Sequence, residues 1–102
     1  MRRESLDELI SALCLDYPRR KALIEGGGCE RRVDTELRYY NFKLFDAVAE
    51  IVGEELAEVF IFEIGAHIGY AGSSVDTMCE RTYKTYKQRA KENIAKRLYL
   101  VP

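Results

Sequence analysis

Apolar residues along this chain recur at spacings of three and four rather than two, and few positions interrupt them. The most sustained stripe runs Leu37, Tyr40, Leu44, Ala47, Val48, Ile51 and Val52, the period of one face of an α-helix. Asp34 stands ahead of it as an N-cap, with Glu36 adding negative charge at the positive helix end, and Gly53 follows it where a C′ residue would stop the helix. A second stripe, Tyr83, Tyr86, Ala90, Ile94 and Leu98, follows Thr77 and Glu80 at capping-box spacing. Ser5 and Glu8 repeat that spacing beside Leu6, Leu9, Ile10 and Leu13.

The remaining elements follow from breakers. Pro18 pushes Tyr17 out of the α region and suits the first turn of a short helix that the Gly26-Gly27-Gly28 triplet ends. Leu56, Val59, Phe60 and Ile64 give a helix starting at Glu54-Glu55, and its apolar residues on nearly all sides imply a central place. By composition Val59-Phe60-Ile61-Phe62 would suit a buried strand, but its Glu-rich neighbours favour helix. The pattern therefore predicts an all-α single domain over 1–102, with five helices near residues 5–16, 19–25, 34–52, 54–65 and 77–99. Residues 1–33 form an N-terminal helical hairpin and flexible loop, and 34–102 hold the core. The expected core is Leu9, Leu13, Leu37, Leu44, Val48, Ile51, Leu56, Phe60, Ile64, Tyr83, Ala90, Ile94 and Leu98. Gly65–Asp76, with three glycines and two serines, is a connection with room for a short helical turn.

Length and charge sharpen this picture. A chain of 102 residues with 47% hydrophobic composition is one ordinary globular domain. Its net charge of −1 hides strong segregation. Residues 34–76 hold two basic and nine acidic side chains, whereas 77–100 hold seven basic and two acidic ones. A basic amphipathic helix on an acidic body points to a polyanionic partner for that helix. No stretch is long and apolar enough to span a membrane, and Met1–Ile10 lacks an apolar signal core. Three widely spaced cysteines, Cys14, Cys29 and Cys79, read as reduced thiols. A cytoplasmic protein is expected.

Catalytic chemistry has few residues to work with. His67 is the sole histidine, so histidine-paired triads and multi-histidine metal sites lack partners. Ser73-Ser74 has no nucleophile-elbow context. Glu50, Glu54, Glu55 and Glu58 have the spacing of a solvated helix face rather than of a metal site. The glycine triplet beside Arg31-Arg32 lacks the phosphate-loop spacing. Cys79, near a helix N-terminus, is read as a small packed residue. No enzyme, metal or small-molecule cofactor is expected.

The run Cys79–Ala90, followed by Ile94-Ala95-Lys96-Arg97-Leu98, resembles the recognition helix of phage and prophage transcriptional regulators of the ArpU/RinA kind, which are similar to the helix-turn-helix region of bacterial sigma factors. Thr82, Tyr83, Lys87, Ala90, Ile94 and Ala95 match that pattern, while Cys79 replaces its serine. The upstream Gly65–Ser74 segment is longer and richer in glycine than the usual short turn. The resemblance implies a helix-turn-helix-like C-terminal half and a sequence-specific regulator that binds double-stranded DNA. Glu80–Gln88 would enter the major groove, Arg81, Lys84, Thr85 and Gln88 would face base edges, and Lys87, Arg89 and Lys91 would hold phosphates. Operator-binding domains are often dimers, which adds a homo-oligomer to the expected partners. The alternative is a helical interaction module whose basic helix docks on an acidic partner. Outward basic side chains favour DNA. Basic groups paired with the acidic helices favour the module.

Overall fold

Five α-helices and one 3₁₀ turn make up the fold: α1 (Arg3–Leu15), α2 (Tyr17–Gly26), α3 (Arg31–Val52), α4 (Glu54–Gly65), the turn Tyr70–Gly72, and α5 (Glu80–Arg97). The structure is a computed structural model that describes residues 3–101, so Met1, Arg2 and Pro102 lie outside it. The protein is all-α, as the pattern predicts, with no strand among the described residues. α3 is the longest element, and α2, α4 and α5 all pack against it, while α1 packs on α4 and α5.

The core is built from large residues filling spaces that small ones open. Ile10 and Cys14 of α1, Leu44 and Val48 of α3, Phe60, Ile61 and Ile64 of α4, and Tyr83 and Ile94 of α5 are all essentially excluded from solvent. Ala47, Ala57, Ala90 and Ala95 sit among them, letting helix axes approach closely. Leu13, Leu56 and Leu98 pack at its edge. Leu9, Leu37 and Ile51, expected inside, are only half-buried and stand outside this cluster. Each lies on the flank of its helical stripe, where one step of about 100° decides which side chain points inward. α4 is not enclosed on every side either, since Phe62 is 54% exposed.

Three helix starts differ from the expected caps. Arg3–Leu15 places Ser5 inside α1 rather than at its N-cap. α3 begins at Arg31, because the Asp34 amide already donates to Glu30 O at 2.9 Å. Asp34 instead accepts from Arg38 Nε at 2.7 Å, and the expected flexible loop shrinks to residues 27–30. α5 begins at Glu80 with Cys79, not Thr77, at its N-cap.

Two polar devices fix the corners. Only Asp16 separates α1 from α2, and the guanidinium of Arg20, 4% exposed, holds that corner. It donates to Leu13 O at 2.5 Å, Asn41 Oδ1 at 2.7 Å and Asp16 Oδ2 at 3.1 Å, tying α1, α2 and α3 together. At the ends of α4 and α5 the chain closes with paired bonds of the Schellman type. Ile68 N donates to Glu63 O and His67 N to Ile64 O, while Leu100 N donates to Ala95 O and Tyr99 N to Lys96 O. His67 and Tyr99 occupy the left-handed position, at φ 56° and 57°, where glycine is usual.

Gly65 marks the tightest approach between helices. A Cβ there would stand 2.5 Å from the backbone nitrogen of Leu15 and 2.7 Å from its Cα. Gly65→Ala should therefore destabilise the protein by about 1–3 kcal/mol through backbone overlap, despite a helix-propensity gain of about 1 kcal/mol. Urea unfolding measures the balance, and a more stable variant would mean that α1 shifts away freely. Phe60→Ala, at a fully enclosed ring, should cost about 3–5 kcal/mol by the same measurement. A loss below about 1 kcal/mol would place that ring outside the core.

Candidate nucleic-acid interface

Residues 66–79 carry the chain from α4 to α5 around the 3₁₀ turn, in place of the tight turn of a helix-turn-helix. Their anchor is Glu63, whose side chain is buried at 2% exposure in the last turns of α4. Its carboxylate accepts from Ser73 Oγ at 2.6 Å, Tyr83 Oη at 2.7 Å, Ser74 N at 3.0 Å and Ser74 Oγ at 3.1 Å. Burial alone would raise its pKa, but these donations outweigh burial and hold it below the ordinary carboxylate value. Burial and the adjoining Glu63 push the Tyr83 hydroxyl up to about 12. One carboxylate thus joins α4, the connection and α5.

The azimuth of α5 follows from this anchor. Tyr83, Ala90 and Ile94 point inward, with the Tyr83 ring tilted against Phe60 and Tyr70 at centroid distances of 5.3 and 5.6 Å. Asn93 Nδ2 donates to Ala47 O at 2.8 Å and Arg97 pairs with Glu50, seaming α5 to α3. Helical periodicity then turns Arg81, Thr85, Gln88, Arg89 and Lys96 outward, and all five are exposed.

The residues expected to meet DNA divide on this frame. Arg81 and Arg89 are exposed and form no ion pair among the described residues, and the same holds for Lys96. Lys84 is exposed but pairs with Glu80 at 3.1 Å on its own helix. The Thr85 hydroxyl bonds back to Arg81 O at 2.9 Å, and Gln88 Nε2 donates to Glu92 at 3.3 Å. Lys91, half-buried, turns toward α1, where it shares an open groove with Leu6, Asp7 and Ile10.

Lys87 departs from its expected place. Its ammonium donates to Ile68 O and lies 5.7 Å from the Tyr83 ring centroid. Burial and the neighbouring Lys91 lower its pKa below the usual lysine value. It closes the connection over α5 rather than standing in the outward row. Lys96 occupies that row instead, two turns beyond Arg89.

Two sites read from the sequence as inert have definite surroundings. His67 completes the end of α4, a structural role. Cys79 is exposed rather than packed, and its Sγ lies 3.3 Å from Thr82 Oγ1. That contact, with the amides of the first turn, lowers its thiol pKa. Cys14, by contrast, is buried and pushed up to about 12. Buried Arg20, Asn41 and Glu63 carry no sequence signature, because nothing in their spacing distinguishes them from surface polar residues.

No helix among the described residues is long and apolar enough to cross a membrane. No family model, curated protein or solved structure matches the chain.

The ionised form of Glu63 is the bound form, so its contribution to stability is present above its ordinary value near 4.5 and is lost as pH falls through its lower folded pKa. Thermal unfolding followed from neutral pH downward should show a steepening loss below that value. Glu63→Gln should flatten this acid limb and cost about 1.5–3 kcal/mol near neutrality, since an amide cannot accept all four donors. An unchanged acid limb in the variant would remove Glu63 from this role.

Proposed function

We propose that this protein binds double-stranded DNA through the outward face of α5 and acts there as a transcriptional regulator. The observation that carries the proposal is a row of exposed cations, Arg81, Arg89 and Lys96, that are not consumed by ion pairs among the described residues. Thr85 and Gln88 stand within the same row and supply the polar groups that base edges require. An α-helix fits the major groove, and the rigid seam with α3 presents α5 in one orientation. Arg81, Lys84, Thr85 and Gln88 are assigned to base edges. Arg89 and Lys96 are assigned to phosphates, while Lys87 holds the connection and Lys91, turned toward α1, leaves the outward face. The likeness of Thr82–Ala95 to recognition helices of the ArpU/RinA kind supports the same proposal.

A second function, docking of α5 on an acidic protein, is favoured by the Arg97–Glu50 pair, which joins the basic helix to the acidic body within the molecule. Fluorescence anisotropy with a labelled duplex, set against polyglutamate at equal charge, separates the two. Arg89 and Lys96 on phosphates would give a log–log salt slope of roughly −2. Arg89→Ala and Lys96→Ala should each reduce that slope by about one and weaken all sequences alike. Arg81→Ala should cost about 1–3 kcal/mol on the preferred sequence and relax its specificity. Lys87→Ala should leave the slope unchanged. Absence of duplex binding at about 50 mM salt and tens of micromolar protein would reject the DNA assignment.

A further inference from the structure

The side of the fold formed by α2, α3 and α4 carries a second surface, and no residue lining it belongs to α5. Two open hollows of about 370 and 330 Å³ share Tyr17, Lys21, Glu25 and Glu58 as a common wall. One is flanked by Phe62 and the other by Phe42, whose rings are 54% and 61% exposed. The ion pair from Lys21 Nζ to Glu58 Oε2, at 2.7 Å, crosses between them. Together they form one apolar trough strapped at its middle.

Charge on the rim selects the occupant. Lys21 is taken by Glu58, and Arg38 by Asp34 at 2.7 Å. Glu25 in the wall has no ion pair among the described residues. The same is true of Glu55, one turn before Glu58 on α4, and of Asp46, one turn after Phe42 on α3. The one charge in the lining left without an ion pair among the described residues is thus the Glu25 carboxylate, with Glu55 and Asp46 farther along the helix faces that carry Glu58 and Phe42. DNA would be repelled. A second copy placed symmetrically on this trough would set these carboxylates against their own counterparts, which disfavours it. The outward face of α5 in another copy would bring Arg81, Thr85, Gln88 and Arg89 but no apolar anchor.

We infer that this trough is a docking site for a basic amphipathic helix of another protein, which places one apolar side chain in each hollow and lysine or arginine against Glu25, Glu55 and Asp46. A groove between packed helices takes such a segment by its i, i+3, i+4 and i+7 anchors. The Lys21–Glu58 strap lies between the anchors, and its half-exposed partners are free to turn toward the incoming chain. With DNA on α5 and a basic helix in the trough, the two partners occupy different surfaces.

The test uses the whole chain and a labelled synthetic helix of about 18 residues, long enough to fold on the surface, with leucine at the anchor positions and lysine elsewhere. Two comparison peptides are a scrambled version of the same composition and a version with glutamate replacing lysine. The basic amphipathic peptide should bind at least about tenfold more tightly than either comparison. Phe42→Ser and Phe62→Ser should each weaken it at least about fivefold with an unchanged melting midpoint, since those rings already face water. Glu25→Lys with Glu55→Lys should weaken it without touching the apolar floor, which keeps the test open if a phenylalanine variant melts early. Arg81→Ala and Arg89→Ala should leave it unaltered, so success or failure here is independent of the DNA titration. Equal binding of all three peptides, or full binding by both serine variants, would overturn the inference. So would a dimer in sedimentation equilibrium that Phe42→Ser dissociates, because a second copy would then cover the trough.

Discussion

The fold depends on a carboxylate buried without a cation. Taking a charged group such as Glu63 out of water costs several kcal/mol unless donors replace the lost hydration. Here the replacement comes from hydroxyls and one amide of Ser73, Ser74 and Tyr83. Lys87, the nearest candidate counter-ion on α5, spends its protons on Ile68 O instead. The arrangement is directional in a way that an ion pair would not be. The donors lie on two stretches of chain, Ser73-Ser74 and Tyr83, so the carboxylate fixes where the connection runs and how α5 is rolled about its axis. Without it, residues 73–75 lose their hold on α4, and the outward row of α5 loses its reference.

Charge segregation along the chain becomes segregation between surfaces. α5 faces outward mainly with cations and α4 with carboxylates, while α3 carries four basic and four acidic side chains, and α3 and α4 each leave one phenyl ring bare. The seam between the two fields is narrow, carried by Arg97 on Glu50 and by Asn93 on the Ala47 carbonyl. A near-neutral total is therefore compatible with two surfaces of opposite preference.

Much of this fold was legible in the sequence, for identifiable reasons. The α3 and α5 stripes are long enough that period alone fixes both the helix and its inner face. Gly53 ends α3 as its position implied, and Pro18 stands in the first turn of α2, but α2 already begins at Tyr17, the residue that Pro18 was expected to keep out of the α region. Caps were less legible. Ser5, Asp34 and Thr77 all carry capping chemistry, yet each helix begins where the tertiary chain path permits. Ala57, enclosed on α4, was missed because a small residue has no hydrophobic signal in proportion to its structural effect. α4 ends at Gly65 as expected, whereas α5 stops at Arg97, two residues short of its expected end, and Tyr99 takes the position where glycine is the usual marker. Of the outward row, Arg81, Thr85, Gln88 and Arg89 followed from periodicity. Lys87 did not, because its fate depends on Ile68 in a segment without periodicity.

The contact between Gly65 and Leu15 has a mechanical consequence. Side chains between helices act as compliant spacers, able to change rotamer as axes slide. At this crossing there is no spacer, and backbone bears on backbone. α1 and the C-terminal end of α4 are thereby coupled as a single strut, and the strut ends where Glu63 grips the connection. The corner where α2 turns into α3 over residues 27–30 is built differently, since Gly26, Gly27 and Gly28 touch nothing that an added methyl would meet. Bulk can therefore be added at one glycine corner of this fold and not at the other.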